Sequence, residues 1–232
     1  MSTPLRSPTA SVTRTSITSS LIVELRRLTR SGLGLGVLMA FAFFGLSSPV
    51  LAIYMPEILG AAASSDQLTI AASQATPADA ISLFNQSAMQ LGLIVTVAVA
   101  ITSIGWDTRP GSSIFYRTRA RRLSTVLLPR LIVDWLIALA TYSCGLLLAV
   151  VVTASAIGRP PAGVVVRTWV ACGLYIVMAM SIGHLLAASL RRTTTAIALT
   201  TLLVLVLPVM NQVPGTSRWA PTALLLPAGL HA

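Results

Sequence analysis

Five long uncharged runs restrict this chain to very few folds. They cover about 32–55, 83–106, 131–156, 168–190 and 194–213, and Asp134 is the one acid inside them. An α-helix needs about 20 apolar residues to cross the hydrocarbon core of a bilayer. Inside lipid every backbone N–H and C=O must be paired within its own segment, so helices are the natural form. Composition agrees: charged residues make up 9% of the 232 and hydrophobic residues 55%, whereas a soluble chain has about a quarter charged. The sequence predicts an all-α polytopic membrane protein with five transmembrane helices.

The basic residues set the expected orientation. There are sixteen, every one an arginine, and the formal charge is +10. They gather at the ends of the apolar runs, so topology and lipid headgroups account for them, and no nucleic-acid partner is expected. Five arginines precede the first run, and six lie between 107 and 130. The 56–82 connector carries Glu57, Asp66 and Asp79 and no basic residue. Later loops are weaker: Arg159 and Arg167 in 157–167, Arg191 and Arg192 in 191–193, and Arg218 near the end. Cytoplasmic loops carry the excess of basic residues. The N-terminus and 107–130 are therefore expected in the cytoplasm and 56–82 outside, in a multi-pass protein of the plasma or inner membrane. Five crossings then leave the C-terminus outside. Residues 214–232 hold one short apolar run cut by Pro221 and Pro227, too short for a sixth span and read as an external or re-entrant segment.

The first nineteen residues are rich in Ser, Thr and Pro and read as a disordered cytosolic tail. Residues 20–31 read as a short amphipathic helix in the cytosolic interface or as a plain extension of the first span. Ser20 is placed to cap it and Glu24 to suit the dipole of its first turn. Leu21, Leu25 and Leu28 recur at helical spacing, with Arg26, Arg27 and Arg30 off that stripe.

Several chemistries are excluded or disfavoured. A P-loop needs a lysine and this chain has none, so no nucleotide site and no enzyme activity are expected here. Cys144 and Cys172 both lie inside apolar runs and make no disulfide framework. His184 and His231 are too few for a metal or haem site, and a lone intramembrane histidine reads as a helix–helix hydrogen-bond partner. Gly45–Leu46–Ser47 matches a protease spacing that arises often by chance, and Ser47 stands beside Pro49, where a hydroxyl satisfies carbonyls freed at a kink.

Asp134 is a functional suspect because charge within a span is expensive, although Arg130 one turn earlier offers a simple ion pair. On the second span Asn85, Met89, Gly92, Thr96, Val99 and Ser103 share one stripe. It reads as bundle packing or as the lining of a translocation path. In the second case the path takes in Asn85, Gln86, Gln90, Thr96, Ser103 and Asp134, with the first three toward its outer mouth. Ala179, Gly183 and Ala187 on the fourth span, and Gly32, Gly36 and Ala40 on the first, form small-residue ridges suited to close helix packing.

The segment 107–130 has its own grammar. Pro110 and Gly111 follow Asp107 and Arg109, Ser112 or Ser113 can cap a new helix, and Tyr116, Ala120, Leu123 and Leu127 form one apolar stripe. Arg117, Arg119, Arg121 and Arg122 fill the remaining arc, and Phe115 adds a second aromatic. The pattern predicts a cytosolic amphipathic helix, either anchored on anionic headgroups or docked in a groove of a partner.

This order of parts resembles the ABC-2-type permeases, the membrane subunits of a large class of ABC exporters. An interfacial helix precedes the first span, and the second span ends in an acid, a glycine, an aromatic and an arginine cluster. The matching positions are Asp107, Gly111, Tyr116, Arg119, Arg121 and Arg122, with Pro129–Arg130 at the start of the third span. Two departures are plain: the family's loop acid is Glu, and its members have six spans. Residues 219–232 resemble the family's dipping segment before the last span. The resemblance covers most of 20–232 and implies a transmembrane domain over 32–232 and a coupling helix that docks on a separate P-loop ATPase. That partner would hold ATP and Mg, leaving no cofactor on this chain. It also implies a second permease, identical or sibling. The cargo would be amphipathic or apolar, with a drug or antibiotic ahead of a lipid or glycolipid. Two readings from other classes stand beside it: a membrane scaffold or assembly protein, and an ion-coupled secondary carrier using Asp134.

Overall fold

The computed structural model describes residues 12–63, 75–104, 124–190 and 192–210, and no strand occurs among them. Helix α1 spans Val12–Arg30 and α2 spans Leu33–Ala63. Helix α3 runs over Pro77–Ile104, with Ala88–Gly92 as a π-helical turn inside it. Helices α4, α5 and α6 follow at Ser124–Ala156, Ala162–Leu190 and Thr193–Met210.

Four of these contain stretches long and apolar enough to cross a bilayer: Leu33–Ile58, Pro77–Ile104, Leu127–Ala156 and Ala162–Leu190. The expected fifth span falls on α6, whose apolar part, Thr193–Leu207, is shorter. Outward-facing side chains agree with a lipid surround. Phe43, Leu147 and Leu185 are 64%, 65% and 68% exposed, part of an apolar surface that a soluble monomer rarely shows.

Local chemistry explains several boundaries. Thr76 and Asp79 form a capping box ahead of Pro77: Asp79 N–H donates to Thr76 Oγ1 at 3.3 Å, and Thr76 N–H donates to Asp79 Oδ2 at 3.0 Å. Helix α3 therefore starts six residues before the expected 83. Helix α2 continues through Pro49 and Pro56, so both ends of the expected 56–82 loop are helical. A proline removes one backbone bond, and inside lipid the loss is tolerated where neighbouring helices or Ser and Thr hydroxyls satisfy the freed carbonyl. Helix α1 begins at Val12. Ser20 is thus interior rather than a cap, Glu24 is beyond the first turn, and residues 12–19 are helix rather than tail. Gly32, at φ 72°, ends α1 in the left-handed conformation that suits glycine. Gly158, at φ 139°, turns the chain between α4 and α5. Helix α5 starts at Ala162, so Arg167 belongs to it and not to a loop.

Helix α2 packs most extensively on α4, while α3 packs on α2, α4, α5 and α6. The α2–α4 crossing is made by Gly45 and Gly145. A Cβ on Gly45 would strike the Gly145 carbonyl oxygen, and a Cβ on Gly145 would lie 2.7 Å from the Phe41 carbonyl oxygen. The expected ridge of Gly32, Gly36 and Ala40 is not this contact: Gly36 is exposed, and a Cβ there would meet nothing within 4 Å. On α5 the expected ridge does face inward, with Ala179 and Gly183 buried.

Tyr142 is fully buried at the centre of the core. Phe41 meets its ring edge-on at 5.8 Å and Phe84 stacks on it at 6.0 Å. Buried positions of α3 recur every fourth residue: Ala80, Phe84, Ala88, Gly92, Thr96 and Ala100. At 3.6 residues per turn that row drifts around a helix, and the wide π turn absorbs part of the drift.

Candidate functional site

The buried Glu24, Arg130, Asp134 and His184 collect at one end of the bundle, where α1 joins α2, α3 ends, α4 begins and α5 ends. Glu24 lies mid-α1 and is only 7% exposed. It faces inward with Leu28, while Ile22, Val23 and Leu25 face outward. The buried side of α1 is therefore rotated from the leucine stripe that the spacing predicts. Glu24 Oε1 accepts from Arg27 at 2.7 Å and pairs with Arg130 Nε of α4 at 3.0 Å. Arg130 is 5% exposed and Arg27 is solvent-facing. A buried carboxylate costs heavily unless it is paired, and this geometry pairs it twice.

One turn further along α4, Asp134 is also 5% exposed. Its Oδ2 accepts a 2.6 Å hydrogen bond from Ser103 Oγ of α3 and lies 3.7 Å from His184 Nε2 of α5. Ser103 Oγ also lies 2.8 Å from the Ala100 carbonyl oxygen, so its single proton chooses between two acceptors. Neither ring nitrogen of His184 makes a hydrogen bond among the described residues. Where an ion pair between Arg130 and Asp134 was expected, the contacts shown are with other helices: Arg130 with Glu24 of α1, and Asp134 with Ser103 of α3 and His184 of α5. Glu24 and Asp134 balance Arg27 and Arg130 in formal charge.

The six residues of the expected path do not form one lining. Ser103 and Asp134 touch, and Thr96 is buried but returns its hydroxyl to the Gly92 carbonyl at 2.8 Å. Asn85 is half-buried and accepts from Tyr142 OH at 3.0 Å. Gln86 and Gln90 are exposed. A small cavity touches Leu28, Thr96, Asp134 and Met180. The nine residues expected to couple to an ATPase, Asp107, Arg109, Gly111, Phe115, Tyr116, Arg117, Arg119, Arg121 and Arg122, lie outside the described residues. Among the described residues no cluster of three or more His, Cys, Asp or Glu side chains is placed to hold a metal ion.

Sequence reasoning did not find the Glu24–Arg130 pair or the approach of His184 to Asp134. One signal was present. Glu24, Arg130, Asp134 and His184 all lie within about three turns of a helix end, and antiparallel helices bring such residues to one level.

The fold defines an all-helical protein with four helices fit to cross a membrane. Comparison with protein-family models, with curated proteins and with solved structures found no match.

Proposed function

We propose that this chain is the membrane-spanning permease subunit of an ABC exporter, of the ABC-2 type that its order of parts resembles. In this reading α6 is a fifth span, the N-terminus lies in the cytoplasm of a plasma- or inner-membrane protein, and 107–123 carries the coupling helix. A separate P-loop ATPase holds ATP and Mg. Two permeases, identical or sibling, pair across the membrane. The cargo is amphipathic or apolar, a drug or antibiotic before a lipid, because the helices offer few charges to a polar one.

The observation that carries the reading is the Glu24–Arg130 pair. Arg130 closes the arginine-rich segment and belongs to the start of α4. A push on that segment would reach α1 and the α2–α4 packing together, as a lever needs. The chain itself then needs two arrangements of packed helices and no bond-making chemistry. A second reading, an ion-coupled carrier, draws on the buried contact of Asp134 with Ser103 and His184.

Affinity purification from native membranes tests the proposal. A P-loop ATPase should co-purify and turn over faster with the permease bound, and Arg121→Glu with Arg122→Glu should abolish both. Transport that stops in Asp134→Asn yet survives ATP depletion at a fixed ion gradient would favour the carrier instead.

A further inference from the structure

We propose that Asp134, His184 and Ser103 form an internal proton-binding site, which takes up one proton from solution and holds it between the carboxylate and the imidazole. The proposal stands whichever transport reading holds.

Three helices contribute one side chain each, and Ser103, Asp134 and His184 are 4%, 5% and 6% exposed. His184 is the telling member. Its two ring nitrogens are buried without a hydrogen bond among the described residues, and Nε2 lies 3.7 Å from Asp134 Oδ2. A neutral imidazole so placed wastes its polar atoms, which is costly in an apolar interior. The gap exceeds a hydrogen bond by under 1 Å, given that a charge-assisted N–H···O bond spans about 2.7–2.9 Å.

The surroundings isolate the pair. From α1 come Glu24 and Arg27, and from α4 Arg130, and these three are joined to one another. Helix α3 offers Ser103 and Thr96, both uncharged. Beside His184 on α5, a Cβ on Gly183 would meet Ile101 of α3 and Thr200 of α6, again without charge. His184 is thus the titratable group that the structure sets opposite Asp134.

Uptake balances simply. Hydronium gives its proton to the imidazole and leaves as water, so a neutral ring beside an anion becomes an imidazolium–carboxylate pair. The ring then donates Nε2–H to Oδ2. The hydroxyl of Ser103, no longer the sole donor to that oxygen, can turn to the Ala100 carbonyl, already 2.8 Å away. The net effect draws the end of α5 toward α4 and loosens the tie between α3 and α4.

The test is NMR of the histidine rings in the full chain, in lipid nanodiscs, on a His231→Gln background so that one ring remains. The His184 ring should pass from neutral to doubly protonated as the pH is lowered. In Asp134→Asn the midpoint should require at least tenfold more protons. In Ser103→Ala, which leaves Asp134 fewer donors, the midpoint should move the other way by a smaller factor. Size-exclusion profile and helical circular dichroism check that each variant folds. If Asp134→Asn does not fold, Ser103→Ala alone decides. A ring that never titrates, or a midpoint identical in every variant that folds, overturns the proposal.

Discussion

Single atoms decide the crossing of α2 and α4. Gly145 faces the carbonyl oxygen of Phe41, and backbone cannot move aside as a flexible side chain can. Gly145→Ala should therefore lower stability in detergent by about 1–3 kcal/mol, the usual cost of overpacking. Gly36→Ala, where a Cβ meets nothing within 4 Å, should leave stability unchanged or raise it by up to about 1 kcal/mol, since alanine suits a helix interior better than glycine. Thermal-melt curves of the two variants side by side check both. The contrast also marks a limit of the sequence. Small-residue spacing is legible, and the α5 ridge with Ala179 and Gly183 was read correctly from it. Which of several glycines meets a neighbour depends on the azimuth of each helix. The spacing within one helix does not contain that azimuth, so Gly36 was favoured where Gly45 packs.

Elements carry the next level. Helix α1 is tied to α4 by a buried acid and a buried arginine, and its outward face is apolar through Ile22, Val23 and Leu25. Arg130→Gln should leave Glu24 with one exposed partner, Arg27. Helix α1 should then open more often, and tryptic cleavage at Arg26 and Arg27 should quicken roughly tenfold, equivalent to about 1.4 kcal/mol. Glu24→Gln, which takes the carboxylate from beside the buried Arg130, should quicken it as well. A digestion time course on the reconstituted protein checks both. The existence of these helices was legible, because uncharged runs of membrane length admit few other structures. Their ends were less so. Thr76–Pro77–x–Asp79 is a readable capping box whose signal was overlooked within a polar connector, whereas the π turn in α3 answers to packing partners and leaves no mark in the spacing.

At the scale of the molecule, the claims concern sidedness and partners. Helix α6 is less apolar in length than the four clear spans, and whether it crosses decides where the chain emerges after 213. With α6 as a fifth crossing, alkaline phosphatase fused after residue 213 should be active outside the cell, and a fluorescent protein at the N-terminus should glow inside. An inactive phosphatase there would return α6 to the surface or to a half-crossing. On the proposed orientation, with the N-terminus inside, the polar end of the bundle with Glu24, Arg130, Asp134 and His184 would lie on the cytoplasmic side. That is where a partner that burns ATP would act.

On the proposed function, the arginine-rich segment before α4 is the seat of such a partner. A photo-activated cross-linking amino acid in place of Tyr116, irradiated in living cells, tests it directly. One dominant protein adduct is expected, with peptides that contain a P-loop. Adducts to lipid alone, or labelling of that position from outside the cell, would contradict it.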